Sequence, residues 1–444
     1  MARLAPSTIR HELRKSIPER LVNEMARETG ALKRNRKVKI YALVCALVLG
    51  FACGRKRTLA TLRRSYERAA GHAIEESAFY KRFTPGLATL MKRLVARVFD
   101  DLVGAGRRLQ GPLAGFRDVL LTDSTVVRLH ELLAKAFPAC RTNHTKAALK
   151  AHVILSVSGA GDSSVKITSE RRHDGPVFTV GRWVKDRLLL FDLGYYRFQL
   201  FDCIRRNGGF FITRLKKGAN PRIVGINRKH RGRAVDLIGK RLGDVIAALD
   251  REVLDVQVEV EFSRRVYAGR RRRARRVFRV IGVKDAATGH YHLYITNIPV
   301  DRIAAEDVAI VYSLRWQVEL LFKELKTHFR LEDMPSRKRV VVEVLLYSAL
   351  LTLVVSRRVL AAVRTALRNA SARIPPLRWA AVFAAAASDL LVIVTRRLSE
   401  ARSLLRDVAR MMVHEALDPN LRRHDLLCAV ETGRRHRRSL TTPS

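Results

Sequence analysis

The sequence predicts an α/β protein: a mixed-sheet core interrupted by a β-rich insertion and flanked by helical regions on both sides. Three observations predict it. Between residues 116 and 215 three strand-like runs come first, and further apolar runs then alternate with helix-like segments, the order of a mixed sheet with helices packed on it. Between 216 and 299 the pattern turns to period-two alternation. Residues 1–115 and the chain from Ala305 onward carry helical patterning.

In the N-terminal helical region (1–115), Thr58–Ala70 reads as a helix, Gly71-His72 as a turn, and Glu75–Phe83 as a second short helix that Pro85 helps to end. That is the outline of a helix-turn-helix, with Ser77, Tyr80, Lys81 and Arg82 on or near the second helix; plain bundle packing explains the pair equally well. The first core segment (116–215) opens with Asp118-Val-Leu-Leu-Thr-Asp123, a short apolar run ending in an acid. Leu149–Val157 and Val165–Glu170 follow as strands joined by the turn Ser158-Gly-Ala-Gly-Asp162. A helix over Val177–Asp186, the apolar run Arg187-Leu-Leu-Leu-Phe-Asp192, a helix within Tyr195–Arg206 and a strand over Gly209–Arg214 complete it. In the insertion (216–299), Asp255–Phe262 alternates as a half-exposed strand should, and Val277–Ile281 and His290–Thr296 continue the β pattern. The run Arg270-Arg-Arg-Arg-Ala-Arg-Arg276 is expected at a hairpin tip, in contact with phosphate. A second core segment (300–345), a helical C-terminal region (346–432) broken at Pro375-Pro376, and a basic tail (433–444) follow.

Composition narrows the partners. The chain has 85 Lys and Arg against 41 Asp and Glu, a formal net charge of +44. A surplus that large repels itself in the compact state unless a polyanion neutralises it. The basic residues recur from Arg10 to Arg438, so an extended nucleic-acid track is expected rather than a local anchor or a membrane surface. No signal peptide is expected behind the charged N-terminal segment. The apolar runs Ile40–Gly54, Val344–Val355 and Trp379–Val394 are read as buried helices, the first two being shorter than a spanning helix of about 20 residues and the third interrupted by Asp389. Cys45, Cys53, Cys140, Cys203 and Cys428 form no CxxC pair; reduced thiols are expected and a zinc site is not.

Three acids carry the chemistry. Tyr312, Arg315, Glu319 and Lys326 are three, four and seven residues apart, which on one continuous helix places them within about 60° of one face. A carboxylate among a phenol, a guanidinium and an ammonium suits a phosphate with a metal ion beside it. Taken alone, the helix could equally be an exposed one held by ion pairs such as Glu319 with Lys323. Asp123 and Asp192 alter that balance. Each ends an apolar run, VLLTD and LLLFD, and so lies at a sheet edge, where open α/β sheets bind ligands. Clustered carboxylates repel unless a cation compensates. Asp123, Asp192 and Glu319 together suit two Mg²⁺ or Mn²⁺ ions, the arrangement of an in-line phosphoryl displacement. Glu324 falls on another face; Asp186 and Asp202 are read as turn or cap residues, and His144 and His152 receive no role.

With these residues in order, the chain resembles the DDE transposases of the insertion-sequence-4 family. The resemblance rests on Asp123, Asp192 and Glu319, on Tyr312-x2-Arg315-x3-Glu319-x6-Lys326, and on the surrounding words Leu121-Thr-Asp-Ser-Thr125, Phe191-Asp-Leu-Gly-Tyr-Tyr196, Thr296-Asn297 and Trp316-Gln317. It covers roughly residues 116–345. It implies a ribonuclease H-like core, with the first Asp on strand one, the second just after strand four and the Glu on the helix after strand five. It also implies Tyr312, Arg315 and Lys326 as contacts to DNA phosphates near the transposon end, double-stranded transposon-end and target DNA as partners, and a homodimer in the DNA complex. Cleavage would proceed through a hairpin, in the cytoplasm of a prokaryotic cell, at the nucleoid. Relatives often use a Trp of the insertion to hold a flipped base; 216–299 contains none, leaving Tyr267, Phe278 and Tyr291 as the aromatic candidates. Two other readings stand beside this one: a DNA-binding regulator or relic without catalysis, and a metal-dependent nuclease that does not rejoin DNA.

Overall fold

The computed structural model describes residues 5–32, 38–52, 58–100, 109–142, 145–158, 163–228, 236–263, 273–286, 288–329, 331–332, 334–367 and 374–417. They fall into two compact units, one of Met1–Val98 with Lys323–Ser444 and one of Phe99–Phe322.

The N-terminal part of the helical unit holds α1 (Pro6–Ser16), α2 (Glu19–Glu28), α3 (Ile40–Ala52), α4 (Leu59–Ala70), α5 (Glu76–Tyr80) and α6 (Pro85–Asp100). Thr58 caps α4, its hydroxyl accepting from the Thr61 amide at 3.1 Å, and Gly71 ends the helix at φ +78°, a left-handed conformation without steric cost for glycine. The second helix of this pair is shorter than the sequence suggests: α5 has five residues, and Phe79 turns inward to place its ring 6.2 Å from that of Tyr66.

The other unit is built on one ten-stranded sheet. Its strands are β1 (Asp118–Leu129), β2 (Pro138–Thr142), β3 (Thr145–Ser156), β4 (Ser164–Ser169), β5 (Arg187–Phe191), β6 (Phe210–Arg214), β7 (Arg222–Ile226), β8 (Val253–Ser263), β9 (Arg273–Lys284) and β10 (Tyr291–Thr296). The order is β2-β3-β1-β5-β6-β10-β9-β8-β7, with β4 also paired to β3. Among the described residues, only β1–β5 and β5–β6 pair in parallel. β4, β3 and β1 run antiparallel and β5 and β6 then parallel, which is the strand order and direction the ribonuclease H-like expectation requires. The insertion is not a separate layer, because β10 pairs antiparallel with β6 and carries β9, β8 and β7 into the same sheet.

Several local readings need correction. β2 and β7 are missed in the sequence; both end the strand order, and both begin at or just after a proline, as edge strands can and central strands cannot. The predicted helix over Val177–Asp186 is instead a single turn, α7 (Asp174–Val177), and a 3-10 turn at Arg182–Val184. Between them the chain extends so that Phe178 can pack edge-on against Phe191 and Tyr195, with ring centroids 5.2 and 6.1 Å away. The predicted helix within Tyr195–Arg206 is α8 (Phe198–Arg206), preceded by a 3-10 turn at Leu193–Tyr195. α9 (Leu242–Ala247) lies within the insertion. Of the arginine run 270–276, Arg273–Arg276 lie in β9, where Arg273 and Arg275 face Glu261; the hairpin tip itself, with Tyr267, lies outside the described residues, as do His144, residues 159–162 and the tail 433–444.

After β10, α10 (Ala305–Ser313) and α11 (Trp316–Thr327) lead back to the helical unit, which α12 (Arg339–Leu367), α13 (Pro376–Thr395) and α14 (Leu398–Glu415) complete. α12 and α13 are each long and apolar enough to cross a membrane, whereas the sequence reading took their apolar runs to be too short or interrupted. Here they are core helices of this unit, with 83% and 56% of their most apolar windows buried. The buried hydroxyls of α12 are satisfied: Ser348 donates to Val344 at 2.7 Å, Thr352 to Ser348 at 2.8 Å, and the Trp379 indole donates to the Ser356 carbonyl at 3.0 Å. Arg10 of α1 donates to the carbonyls of Ile393 and Arg396 at 3.0 and 2.7 Å, tying α1 to the C-terminal end of α13.

Candidate active site

The register of the parallel strands places the two aspartates. β1 pairs with β5 from Asp118↔Arg187 to Thr122↔Phe191 and no further. One residue beyond that last pair come Asp123 and Asp192. β5 ends there, and Asp192 opens the 3-10 turn, its carbonyl accepting from the Tyr195 amide at 3.1 Å. β1 continues to Leu129, so Asp123 lies mid-strand rather than at a strand end as the sequence suggests; only its partner strand stops. Asp192 thus lies just past the C-terminal end of β5, and Asp123 lies level with it, on the part of β1 that has lost its β5 partner and keeps only β3, paired there with Val153.

Two buried devices position the helices of the site. At the end of β10, Thr296 donates its hydroxyl to the Phe211 carbonyl at 2.5 Å, and Asn297 accepts from the Phe211 amide at 3.0 Å while donating to the Gly209 carbonyl at 2.8 Å. The Thr-Asn pair quoted for the family resemblance is therefore a backbone splice between β10 and β6. Arg279, 1% exposed, pairs with both oxygens of Asp255 at 2.9 and 2.6 Å and donates to the Ile303 carbonyl at 2.9 Å, fixing the loop that starts α10.

The four signature residues do not share one continuous helix. The chain turns at Leu314-Arg315, so Tyr312 belongs to α10 and Glu319 to α11. Tyr312 is buried, and its hydroxyl donates to the Phe191 carbonyl at 3.1 Å, next to Asp192. Arg315 reaches Asp123 Oδ2 at 3.2 Å and also pairs with Glu319, joining two of the three acids through one guanidinium. Lys326, by its contacts part of the helical unit, pairs with Glu332 at 3.0 Å. Glu324 is buried and paired with Arg357 at 2.8 Å, a structural role consistent with its different helix face.

Burial pushes the Asp123 carboxyl up to about 6; Asp192 and Glu319 add to the rise, and the Ser124 amide and Arg315 oppose it. Asp192 and Glu319 thus lie close enough to Asp123 to repel it. Asp123 and Asp192, with Asp174, also raise the buried Tyr195 hydroxyl, after burial itself. Among the described residues no three His, Cys, Asp or Glu side chains stand in one ready-made metal-ligand group. The donor set nevertheless fits hard divalent ions: carboxylate oxygens that repel one another, with Arg315 supplying the compensating charge.

Sequence reasoning missed Asp174 and left His152 without a role. The structure sets His152 Nδ1 3.1 Å from Asp174 Oδ1, with Lys150 at 3.6 Å. No sequence signal marks Asp174 beyond an acid at the start of a short helix. Of the aromatic candidates in the insertion, Phe278 is a core residue packed against Phe211 and Phe198, and the Tyr291 hydroxyl is bonded to the Arg251 carbonyl and amide.

Strands in these directions, with one acid just past β5 and another beside it in β1, form a mixed α/β core that gathers carboxylates at one edge. Residues 114–355 match the family described as "Transposase DDE domain", and the chain belongs to that family. It is 20% identical over 375 residues to the transposase for insertion sequence element IS231F of Bacillus thuringiensis subsp. israelensis, covering 77% of each chain. It is 23% identical over 327 residues to that for IS1151 of Clostridium perfringens, covering 67% of this chain and 69% of the relative. Among solved structures, the piggyBac transposase in its synaptic complex with hairpin DNA aligns with a TM-score of 0.43 at 8% identity, covering 94% of this chain and 87% of that one. The protein is a DDE transposase, a DNA phosphoryltransferase of a family whose chemistry uses divalent metal ions and DNA.

Proposed function

We propose that this transposase excises its mobile element by cut-and-paste, binding the terminal repeats as a homodimer and cutting and joining DNA with Asp123, Asp192 and Glu319. The observation that carries this reading is the register: one step past the last β1–β5 pair, two acids face the same edge, and Arg315 links one of them to Glu319. These three carboxylates would hold two Mg²⁺ or Mn²⁺ ions, which when bound activate the attacking hydroxyl and stabilise the leaving oxygen.

The chain's own groups do the rest. Arg315 spans Asp123 and Glu319 with a planar fork that equally fits a phosphate, so it can move to the DNA backbone once other charge neutralises the acids. Lys326 is the second phosphate contact. Tyr312 serves the site from within, holding α10 to the strand end that carries Asp192. A cavity of about 590 Å³ beside Leu193, lined by Arg214, Lys216, Lys217 and His292, supplies a basic path for a strand leaving the site. Cleavage proceeds in two transfers: water breaks the terminal phosphodiester and frees a 3′-hydroxyl, which then attacks the opposite strand to give a hairpin and release the flanking DNA. The reading places the protein on the nucleoid of a prokaryotic cell.

The test uses DNA carrying the inverted repeats that flank the coding region. Asp123→Asn, Asp192→Asn and Glu319→Gln each lower Mg²⁺-dependent cleavage by about 10²- to 10³-fold, as when an electrostatic catalytic group is lost, while end binding in EDTA persists. Hairpin ends and strand-transfer products from the wild type exclude a simple nuclease. Specific cutting that survives all three substitutions overturns the assignment.

A further inference from the structure

Asp123 and Ser124 are successive residues of β1 and so point to opposite faces of the sheet. On the Ser124 face lies Asp174, the first residue of α7, with its side chain 17% exposed. Its carboxylate meets three elements. From β3, His152 Nδ1 lies 3.1 Å and Lys150 Nζ 3.6 Å from Oδ1, and His152 is steadied through Nε2 by the Thr168 hydroxyl at 2.8 Å. From β1, the Ser124 hydroxyl joins His152 in stabilising the charged form, and with Lys150 they outweigh burial to hold the carboxyl below its ordinary range. From the turn after β5, Gly194 approaches so closely that a Cβ there would stand 3.0 Å from Oδ2. Gly194 needs no unusual backbone angle; it is glycine-sized because this carboxylate lies against it.

Ser124 follows Asp123, and Gly194 lies two residues after Asp192. One half-buried carboxylate therefore braces both aspartate-bearing segments from behind, with Lys150 and His152 of β3 beside it. We propose that Asp174 is a positioning residue that sets the separation of Asp123 and Asp192 and thereby the affinity of the site for divalent ions. It acts through Ser124 and Gly194 and does not itself bind the ions. The proposal rests on the reading of Asp123 and Asp192 as metal ligands.

The experiment uses the full chain without DNA and measures Mn²⁺ affinity by electron paramagnetic resonance of the free ion. Wild type is compared with D174A, with Gly194→Ala, which keeps the carboxylate but pushes it away, and with D123N. Thermal unfolding in EDTA and end-DNA affinity in EDTA are followed in parallel. D174A and G194A should each weaken Mn²⁺ binding by about 10- to 100-fold, the usual effect of losing a group that orients a metal ligand. They should raise the Mn²⁺ needed for half-maximal cleavage by the same factor and leave DNA affinity unchanged. If both variants lose melting temperature but bind Mn²⁺ as the wild type does, while D123N does not, Asp174 serves folding alone and the proposal falls. If D123N also binds Mn²⁺ normally, the ligand assignment falls with it. Where D174A does not fold, G194A decides between these outcomes.

Discussion

Asp202 shows how much one side chain's surroundings matter. The sequence offers it only as a turn or cap residue, yet its carboxylate is 2% exposed in the middle of α8. Arg205 and Arg276 lie 3.0 and 2.9 Å away and Arg206 at 3.3 Å, so Asp202 fastens the helix to β9. Burial pushes its carboxyl up, but the hydrogen bonds from Arg276 and Arg205 and the charges around them prevail and the net shift is downward. A depressed folded pKa contributes stability that is present above the unfolded value of about 3.9 and is lost as the pH falls through the folded value. Asp202→Asn should therefore cost roughly 3 kcal/mol in urea unfolding at pH 7, at the low end for a buried pair because Arg205 and Arg206 are partly hydrated. The gap to wild type should narrow as the pH falls below the unfolded value and through the depressed folded one. An equal gap at acid and neutral pH would show that packing, not charge, is what Asp202 supplies.

At the scale of elements, the turn at Leu314-Arg315 redistributes the roles of the signature. An unbroken helix would present Tyr312 and Glu319 to the same phosphate; the break lets Tyr312 face inward to Phe191 while Arg315 reaches across to β1. Tyr312→Phe should then cost about 1 kcal/mol of stability, the worth of one hydrogen bond. It should leave DNA affinity and its salt dependence unaltered in fluorescence anisotropy; a loss of affinity would mean that the hydroxyl touches phosphate after all. Arg279 governs the other end of α10. Arg279→Lys keeps the charge but loses the two-pronged grip on Asp255 and the donors to the loop carbonyls, so a loss of about 3 kcal/mol in unfolding free energy is expected.

Over the whole molecule, a net charge of +44 makes DNA binding a counterion-release problem. Neutralising six to ten phosphates would cut affinity by about 10³- to 10⁵-fold between 50 and 200 mM salt. Duplex binding titrated across that range should show such a slope for end and unrelated DNA alike, and a flat profile would mean that the basic surface is not the DNA track. The apolar helices α12 and α13 answer to the same scale. Their composition permits a membrane span, and only their burial among the other helices of their unit shows them as core.

The sequence by itself determined most of the alternation of helices and strands, the basic character, and the three candidate acids. Each of those is a local property: VLLTD and LLLFD are apolar runs that must be buried, each closed by an acid, and Glu319 stands four residues after Arg315. It also carried Thr296-Asn297 as a motif without its reason. Tertiary structure alone decided that Asp123 and Asp192 stand level with each other, because strand register is set by pairing across many residues and not by either run. It alone gave Arg315 to Asp123, turned Tyr312 inward, joined β10 to β6 and brought Asp174 behind both aspartates. Those contacts join residues far apart along the chain, and their strength comes from desolvation and close approach, which no local pattern of residues encodes.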